Sequence, residues 1–337
     1  MRIAVLGLGF MGSTHFKALR NIPQAEVVAV ASDDERQLTG DLSGVQGNIG
    51  APGERMDFSG LRKYRNWQDA IADPATEAVD ICLPTGLHAP AAIAALRAGK
   101  HVLVEKPMAL DGAAADAMLE AARAGDRILM VAQVLRFFPV YRVLRDAVRS
   151  GRVGAVRAAM FRRRCGPPQW SPWLLDPNVS GGAVFDLLVH DVDFCLHLFG
   201  APQAVSAVGY VNLASGIDWI MTEFHYAGPT VVITGGWHPS SSFPFLMEYS
   251  VVTDGGAIEY SSAGTPPTLY GSDGSRTEMD ATGRDGYQAE IEYFVECCLE
   301  GRQPDLCPPR ESAAAVKLAE LMLESRAKEG EKLRCLL

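Results

Sequence analysis

The stretch Ile3-Ala4-Val5-Leu6-Gly7-Leu8-Gly9-Phe10-Met11-Gly12 opens the chain with an apolar strand run that breaks directly into G-x-G-x-x-G. Helix-forming sequence continues to about Arg20, and Glu26–Ala31 reads as a second strand. In this strand–turn–helix–strand setting the glycines have separate tasks. Gly7 permits the tight turn, Gly9 lets the backbone approach a pyrophosphate, and Gly12 lets helix and strand pack closely. The amides of Phe10, Met11 and Gly12, at the helix N-terminus, then face the phosphates. Three glycines in an ordinary strand–helix turn are the lesser reading in this context.

The end of the second strand distinguishes NAD from NADP, because an acid there hydrogen-bonds the ribose 2′-hydroxyl and repels a 2′-phosphate. Ser32 stands where the acid is expected, Asp33 follows it, and Arg36 is within reach of a phosphate. Asp33 favours NAD; Arg36 keeps NADP open. The glycine-rich stretch 40–60 reads as a surface loop. Regular alternation then resumes: strand 78–83, helix 89–98, strand 101–105, helix 111–124 capped by Asp111, strand 128–133. Such alternation predicts a doubly wound parallel sheet.

Two strand ends carry chemistry, since ligands of open α/β sheets sit beyond the carboxyl ends of the strands. One carries Pro84, Thr85 and His88, the other Glu105, Lys106 and Pro107. Lys106 either polarises a substrate hydroxyl or carbonyl or simply ends a strand in solvent. His88 reads as a helix-start residue packing near the cofactor rather than as a catalyst.

At 337 residues the chain predicts two domains. The division falls into a dinucleotide-binding part, 1–127, and an α+β part, 128–337, for substrate binding and oligomerisation. The second part has strand-like runs at 155–163, 204–213, 219–226, 230–235, 247–253 and 257–260, with helices near 186–199, 287–300 and 311–327. That pattern implies a large, mostly antiparallel open sheet. A net charge of −9 excludes a general nucleic-acid binder. No run of about 18 apolar residues suggests a membrane span. The start lacks the features of a secretory signal, and seven cysteines without a C-x-x-C pair fit a reducing cytoplasm.

Residues 181–197 hold the most distinctive polar pattern. At 100° per residue, Asp186, His190, Asp193 and His197 form one helical stripe roughly 60° wide, with most of the remaining circumference apolar. A carboxylate and an imidazole one turn apart suit proton transfer; the competing reading is a solvated face. A metal pair at Asp186 and His190 lacks a third ligand, so no metal is expected. Asp191 falls on the apolar side, where burial demands a hydrogen-bond partner.

Taken in order, the chain resembles the glucose–fructose oxidoreductase / inositol dehydrogenase / MocA family nearly end to end. The resemblance rests on Gly7-x-Gly9-x-x-Gly12, the Pro84–His88 turn, Glu105-Lys106-Pro107, Arg136-Phe137-x-Pro139 and the Gly-Gly…Asp186-x-x-x-His190-x-x-Asp193 helix. It implies an NAD- or NADP-dependent dehydrogenase of sugars, cyclitols and related polyols, with Lys106, Asp186 and His190 converging beside the nicotinamide. His190 would act as general base in oxidation, because an imidazole titrates near about 6.5. Asp186 would orient it or bind a hydroxyl, and Lys106 would lower the hydroxyl's pKa. Asp193 and His197 then fall to structural roles. Relatives also bury the exposed sheet face against a second subunit, so a homodimer or homotetramer is expected.

Trp170 and Trp173 either stack on a sugar ring or anchor their loop. Arg162 and Arg164 share one strand face, and Arg164 either binds an anionic substrate group or pairs with a surface carboxylate. Two other functions remain open: a glycosidase with a transient internal redox cycle, and a cofactor-binding sensor without turnover.

Overall fold

The computed structural model describes residues 1–47, 53–168 and 172–337. Six strands form the first sheet: β1 (Arg2–Leu6), β2 (Glu26–Ala31), β3 (Arg62–Tyr64), β4 (Ala78–Ile81), β5 (His101–Glu105) and β6 (Leu129–Ala132). Their order is β3-β2-β1-β4-β5-β6, and every pairing is parallel. A parallel sheet is covered on both faces, which is why its strands are continuous apolar runs. Ile3, Ala4, Val5 and Leu6 are all buried, as are Val102, Leu103 and Val104. Helices Phe10–Leu19, Trp67–Ala72 and His88–Arg97 pack on these strands. Asp111 caps the helix Gly112–Gly125 by accepting the Ala114 amide at 2.8 Å.

The second sheet has nine strands: β7 (Val156–Cys165), β8 (Ala204–Asn212), β9 (Ile217–His225), β10 (Thr230–Trp237), β11 (Leu246–Thr253), β12 (Gly256–Ser261), β13 (Thr265–Gly271), β14 (Arg276–Glu278) and β15 (Leu333–Arg334). Their order is β14-β13-β12-β11-β7-β10-β9-β8-β15. All pairings are antiparallel except the central one, β7 with β10. Strands β3, β13, β14 and β15 are absent from the sequence reading. Three of them are very short, and β13 carries Pro266 and Pro267, which normally argue against a strand.

The chain folds as two compact units, and they do not follow the linear division 1–127 and 128–337. The first comprises Met1–Val134, Asn178–Ser180 and Gly286–Ala313; the second comprises Leu135–Pro177, Gly181–Asp285 and Ala314–Leu337. Strand β6 completes the first sheet by pairing with β5. The helix Gly286–Glu300 returns to pack on β5, β6 and the helix Phe10–Leu19 through buried Ile291, Phe294 and Val295. A late helix that covers an early sheet leaves no trace in local periodicity. Among the described residues no helix is long and apolar enough to cross a membrane.

In the second unit β7 sets the layering. Ala159, Phe161, Arg163 and Cys165 are buried on one face, while Met160, Arg162 and Arg164 point to the other. The buried face carries an aromatic core in which Tyr141 meets Phe194 edge-on at 5.0 Å and Tyr249 at 5.5 Å.

Candidate functional site

In the first unit the glycine loop has the shape that a dinucleotide requires. Gly7 has φ +93°, a region disfavoured for other residues, and its amide donates to Ala31 O at 2.8 Å. A Cβ on Gly12 would lie 1.9 Å from Gly7 O, so that position is filled by the loop itself. A Cβ on Gly9 would meet nothing within 4 Å. The open space lies at the helix N-terminus, beside half-buried Phe10 and Met11. These residues fit a pyrophosphate.

Around the loop, Ser32 at the end of β2 is buried and donates to Gln37 Oε1 at 2.7 Å. Asp33 beside it is exposed. Arg36 donates through Nε to Asp41 at 3.0 Å and through Nη2 to Ser43 at 3.1 Å. The glycine-rich stretch is anchored where it is described. Leu42, Met56 and Phe58 are buried, and Phe58 packs on Phe16 at 4.8 Å.

The two strand ends are tied together. Beyond β4, Thr85 is buried in a short turn that follows Pro84. His88 is also buried, with Nδ1 2.8 Å from Pro107 O and Nε2 2.8 Å from Leu83 O, so both ring nitrogens face backbone carbonyls. Glu105 is buried as well: Oε2 accepts the Lys106 amide at 3.0 Å, and Oε1 lies 3.0 Å from His15 Nε2. Burial alone would raise the Glu105 pKa, but the hydrogen bond and charge of His15, then Lys106, hold it below the usual carboxylate range. Lys106 is half-buried. Sequence reading missed His15, because a histidine inside an amphipathic helix carries no positional signal of its own.

In the second unit the helix of the polar stripe begins at Gly181 and Gly182, with φ of +76° and +72°. Gly182 is required twice over, since a Cβ there would also lie 2.6 Å from Asp218 Oδ2. That oxygen accepts the Ala183 amide at 2.8 Å. Residues Val184–Leu188 form a π-helical turn that continues into the α-helix Val189–Phe199. The uniform helical wheel therefore fails at Asp186, where the turn is wider; such turns recur at functional sites. The burial pattern sorts the stripe. From Gly182 to His197 every residue is buried except Asp186 and His190.

Asp193 and His197 go inward. Arg136 donates to both Asp193 oxygens at 2.7 Å and approaches His197 Nδ1 at 3.2 Å. Arg149 donates to His197 O at 2.8 Å. Burial, then Arg136 and Arg149, pushes the His197 pKa down to about 3. Asp191 finds its required partner in Arg163, at 2.7 and 3.0 Å, and Tyr141 Oη lies 3.2 Å from the same guanidinium.

Arg164 is not brought to this helix. As β7 alternates, Arg163 points at the helix and Arg164 at the opposite face, where it donates to Glu248 at 2.7 Å and lies over the Phe243 ring. Arg162 donates to the same Glu248 oxygen at 2.7 Å. Trp173 is half-buried in the short turn Pro172–Leu175, and Trp170 lies outside the described residues. Among the described residues the one cluster with metal-ligand proximity is His15, Asp80 and Cys82; Asp186 and His190 belong to none. Its N···O separations of 3.0 Å are hydrogen bonds, and burial raises the Cys82 pKa, disfavouring the thiolate that a metal needs.

A doubly wound dinucleotide-binding unit joined to a large open sheet defines a class of two-domain oxidoreductase. Residues 1–133 match the profile described as an oxidoreductase family with NAD-binding Rossmann fold, and residues 141–259 match the GFO/IDH/MocA C-terminal domain. The chain belongs to the Gfo/Idh/MocA family of oxidoreductases. It is 32% identical over 201 residues to myo-inositol 2-dehydrogenase of Thermotoga maritima, a match spanning 59% of this chain and 55% of that enzyme. It is 32% identical over 321 residues to 4-carboxy-2-hydroxymuconate-6-semialdehyde dehydrogenase of a Sphingobium species, covering 90% of this chain and 92% of the relative. A levoglucosan dehydrogenase solved in complex with NADH and levoglucosan shares the fold, with a TM-score of 0.84 at 20% identity over 99% of both chains.

Proposed function

We propose that the protein is an NAD(P)-dependent dehydrogenase or reductase acting on a secondary alcohol or ketone of a sugar, cyclitol or related polyol. The observation that carries this reading is the burial pattern of residues 182–197, in which Asp186 and His190 alone are partly exposed. The nicotinamide, when bound, supplies or accepts the hydride. The protein's part is alignment and proton transfer. His190 takes the hydroxyl proton during oxidation and returns one during reduction. Asp186, one turn earlier, orients that imidazole or holds a neighbouring substrate hydroxyl. Lys106, at the carboxyl end of β5, favours the alkoxide by its charge.

NAD is the preferred cofactor in this reading. Asp33 is the exposed carboxylate at the end of β2, whereas Arg36 is already engaged by Asp41 and Ser43. All seven cysteines are free thiols, which suits a reducing compartment such as the cytoplasm. The outer face of the second sheet, with exposed Met160, Val208, Tyr210, Met221 and Val252, is assigned to a second copy of the chain in a homodimer or homotetramer.

The test is a panel of sugars and cyclitols with NAD and NADP, followed by absorbance of the reduced nicotinamide. For a substrate that turns over, His190→Ala is expected to lower kcat by about 10²–10⁴. A fall of less than about tenfold would remove His190 from the general-base role. Aglycone release from glycosides without net reduction of the cofactor would replace the dehydrogenase by a glycosidase with an internal redox cycle.

A further inference from the structure

We propose that His15 is a positioning residue for Lys106: held between Asp80 and Glu105 as an imidazolium, it fixes the carboxylate that anchors the Lys106 backbone. This rests on the reading of Lys106 as a catalytic group.

His15 is fully buried on the helix Phe10–Leu19, whose first turn is the candidate phosphate cradle. Its Nδ1 lies 3.0 Å from each oxygen of Asp80 on β4, and its Nε2 lies 3.0 Å from Oε1 of Glu105, the last residue of β5. Nδ1 is the nitrogen hydrogen-bonded to Asp80, while the Nε2 approach to Glu105 is an ion-pair contact; a neutral ring would leave one of the two buried carboxylates without an opposite charge, whereas the imidazolium serves both. The second Glu105 oxygen, Oε2, accepts the backbone amide of Lys106 at 3.0 Å. A continuous path therefore runs from Asp80 through His15 and Glu105 to the point where Lys106 leaves the sheet.

Charge balance points the same way. Two carboxylates and one imidazolium leave one negative charge in a buried place, an expensive arrangement without a further cation. Lys106 is the neighbouring cation on the Glu105 side, with His88 also facing Glu105, and Cys82 Sγ lies 3.6 Å from His15 Nδ1. Burial opposes charging of His15, but Asp80 overrides it and holds the imidazole well above its ordinary range. The same residue thus braces the glycine-loop helix and the strand end that presents Lys106. A break here would disturb the ammonium's placement, while the glycine loop keeps its own tie, the Gly7 amide donating to Ala31 O at 2.8 Å.

Three measurements on the full-length protein test this. Histidine-labelled protein at about pH 8 should give a doubly protonated imidazole signal that disappears in His15→Gln; a neutral His15 overturns the proposal. Hydrogen–deuterium exchange should show the Lys106 amide losing protection in both His15→Gln and Glu105→Gln; unchanged protection overturns it without any substrate being known. Where turnover is established, both variants should lower kcat by about tenfold or more, with NADH affinity held within about threefold (under 1 kcal/mol) and the pH profile of kcat displaced. A double variant should be no worse than the poorer single one. Loss of stability with kcat and its pH profile unchanged would make the cluster merely structural. Should His15→Gln fail to fold, the nearly isosteric Glu105→Gln carries the exchange and kinetic arms alone. Absence of turnover in the wild type bears on the dehydrogenase reading, whereas the labelling and exchange results bear on His15.

Discussion

Arg163 donates to both oxygens of Asp191, Nε to one at 2.7 Å and Nη2 to the other at 3.0 Å, with both side chains buried. A central sheet strand is thereby bolted to the helix that carries His190. Asp191→Ala leaves the guanidinium without its counterion and should cost about 3–5 kcal/mol, whereas replacing both partners by apolar residues should recover most of that. Urea unfolding of the single and double variants measures it. A single-variant loss under about 1 kcal/mol would mean that the pair is not holding the helix.

Gly9 and Gly12 should separate binding from folding. Gly9 has extended backbone angles, φ −68° and ψ −161°, that alanine adopts, and a Cβ there meets no protein atom. Gly9→Ala should therefore change stability by less than about 1 kcal/mol while weakening NADH binding about tenfold or more, as a methyl group enters the pyrophosphate's space. Gly12→Ala drives a Cβ to 1.9 Å from Gly7 O and should destabilise the fold by about 1–3 kcal/mol or more. Thermal melts with and without NADH distinguish the two. Equal behaviour of both variants would refute the assignment of Gly9 to the cofactor.

His197 makes a pH-dependent contribution with a definite sign. Its pKa in the native state is pushed down to about 3 by burial and the neighbouring arginines, while in the unfolded chain it returns to about 6.5. Between these values the unfolded state binds more protons, so stability falls as the solution is acidified. The slope approaches about 1.4 kcal/mol per pH unit in the middle of that window. His197→Gln should flatten it, and the difference between the two proteins' denaturation midpoints at pH 7 and pH 5 measures the effect. Parallel curves would place a charged imidazole between Arg136 and Arg149, contrary to expectation.

Met221 tests the assembly. Sheet register pairs it directly with Val208 on the outer face, and both are exposed. Met221→Lys should put a charge into the proposed intersubunit contact and shift the mass measured by light scattering towards the 36.3 kDa chain. A wild type that already runs at that mass would remove the proposed interface.

The features legible in the sequence were those with local causes. The glycine spacing, the strand–helix alternation and the Asp111 cap depend on neighbours within a few residues. The need of Asp191 for a partner followed from its place on an apolar helix face. Its partner's identity did not, because Arg163 belongs to a run of three arginines whose side chains diverge only once β7 is pleated. The same pleat turned Arg164 away from the helix, and no count of charges would have separated it from Arg163. The π-helical turn at Asp186 was illegible for a related reason: a wheel of constant pitch cannot show where the pitch changes. His15 needed the parallel pairing of β1 with β4 and of β4 with β5 before its two carboxylates could be brought together.

The helix from Gly182 to His197 is committed on nearly every side: a carboxylate at its start, guanidinium groups on Asp191 and Asp193, and core packing along the rest. An element so constrained tolerates little tinkering. Divergence in substrate preference among proteins built this way would have to accumulate outside it, with the helix inherited as an unaltered part.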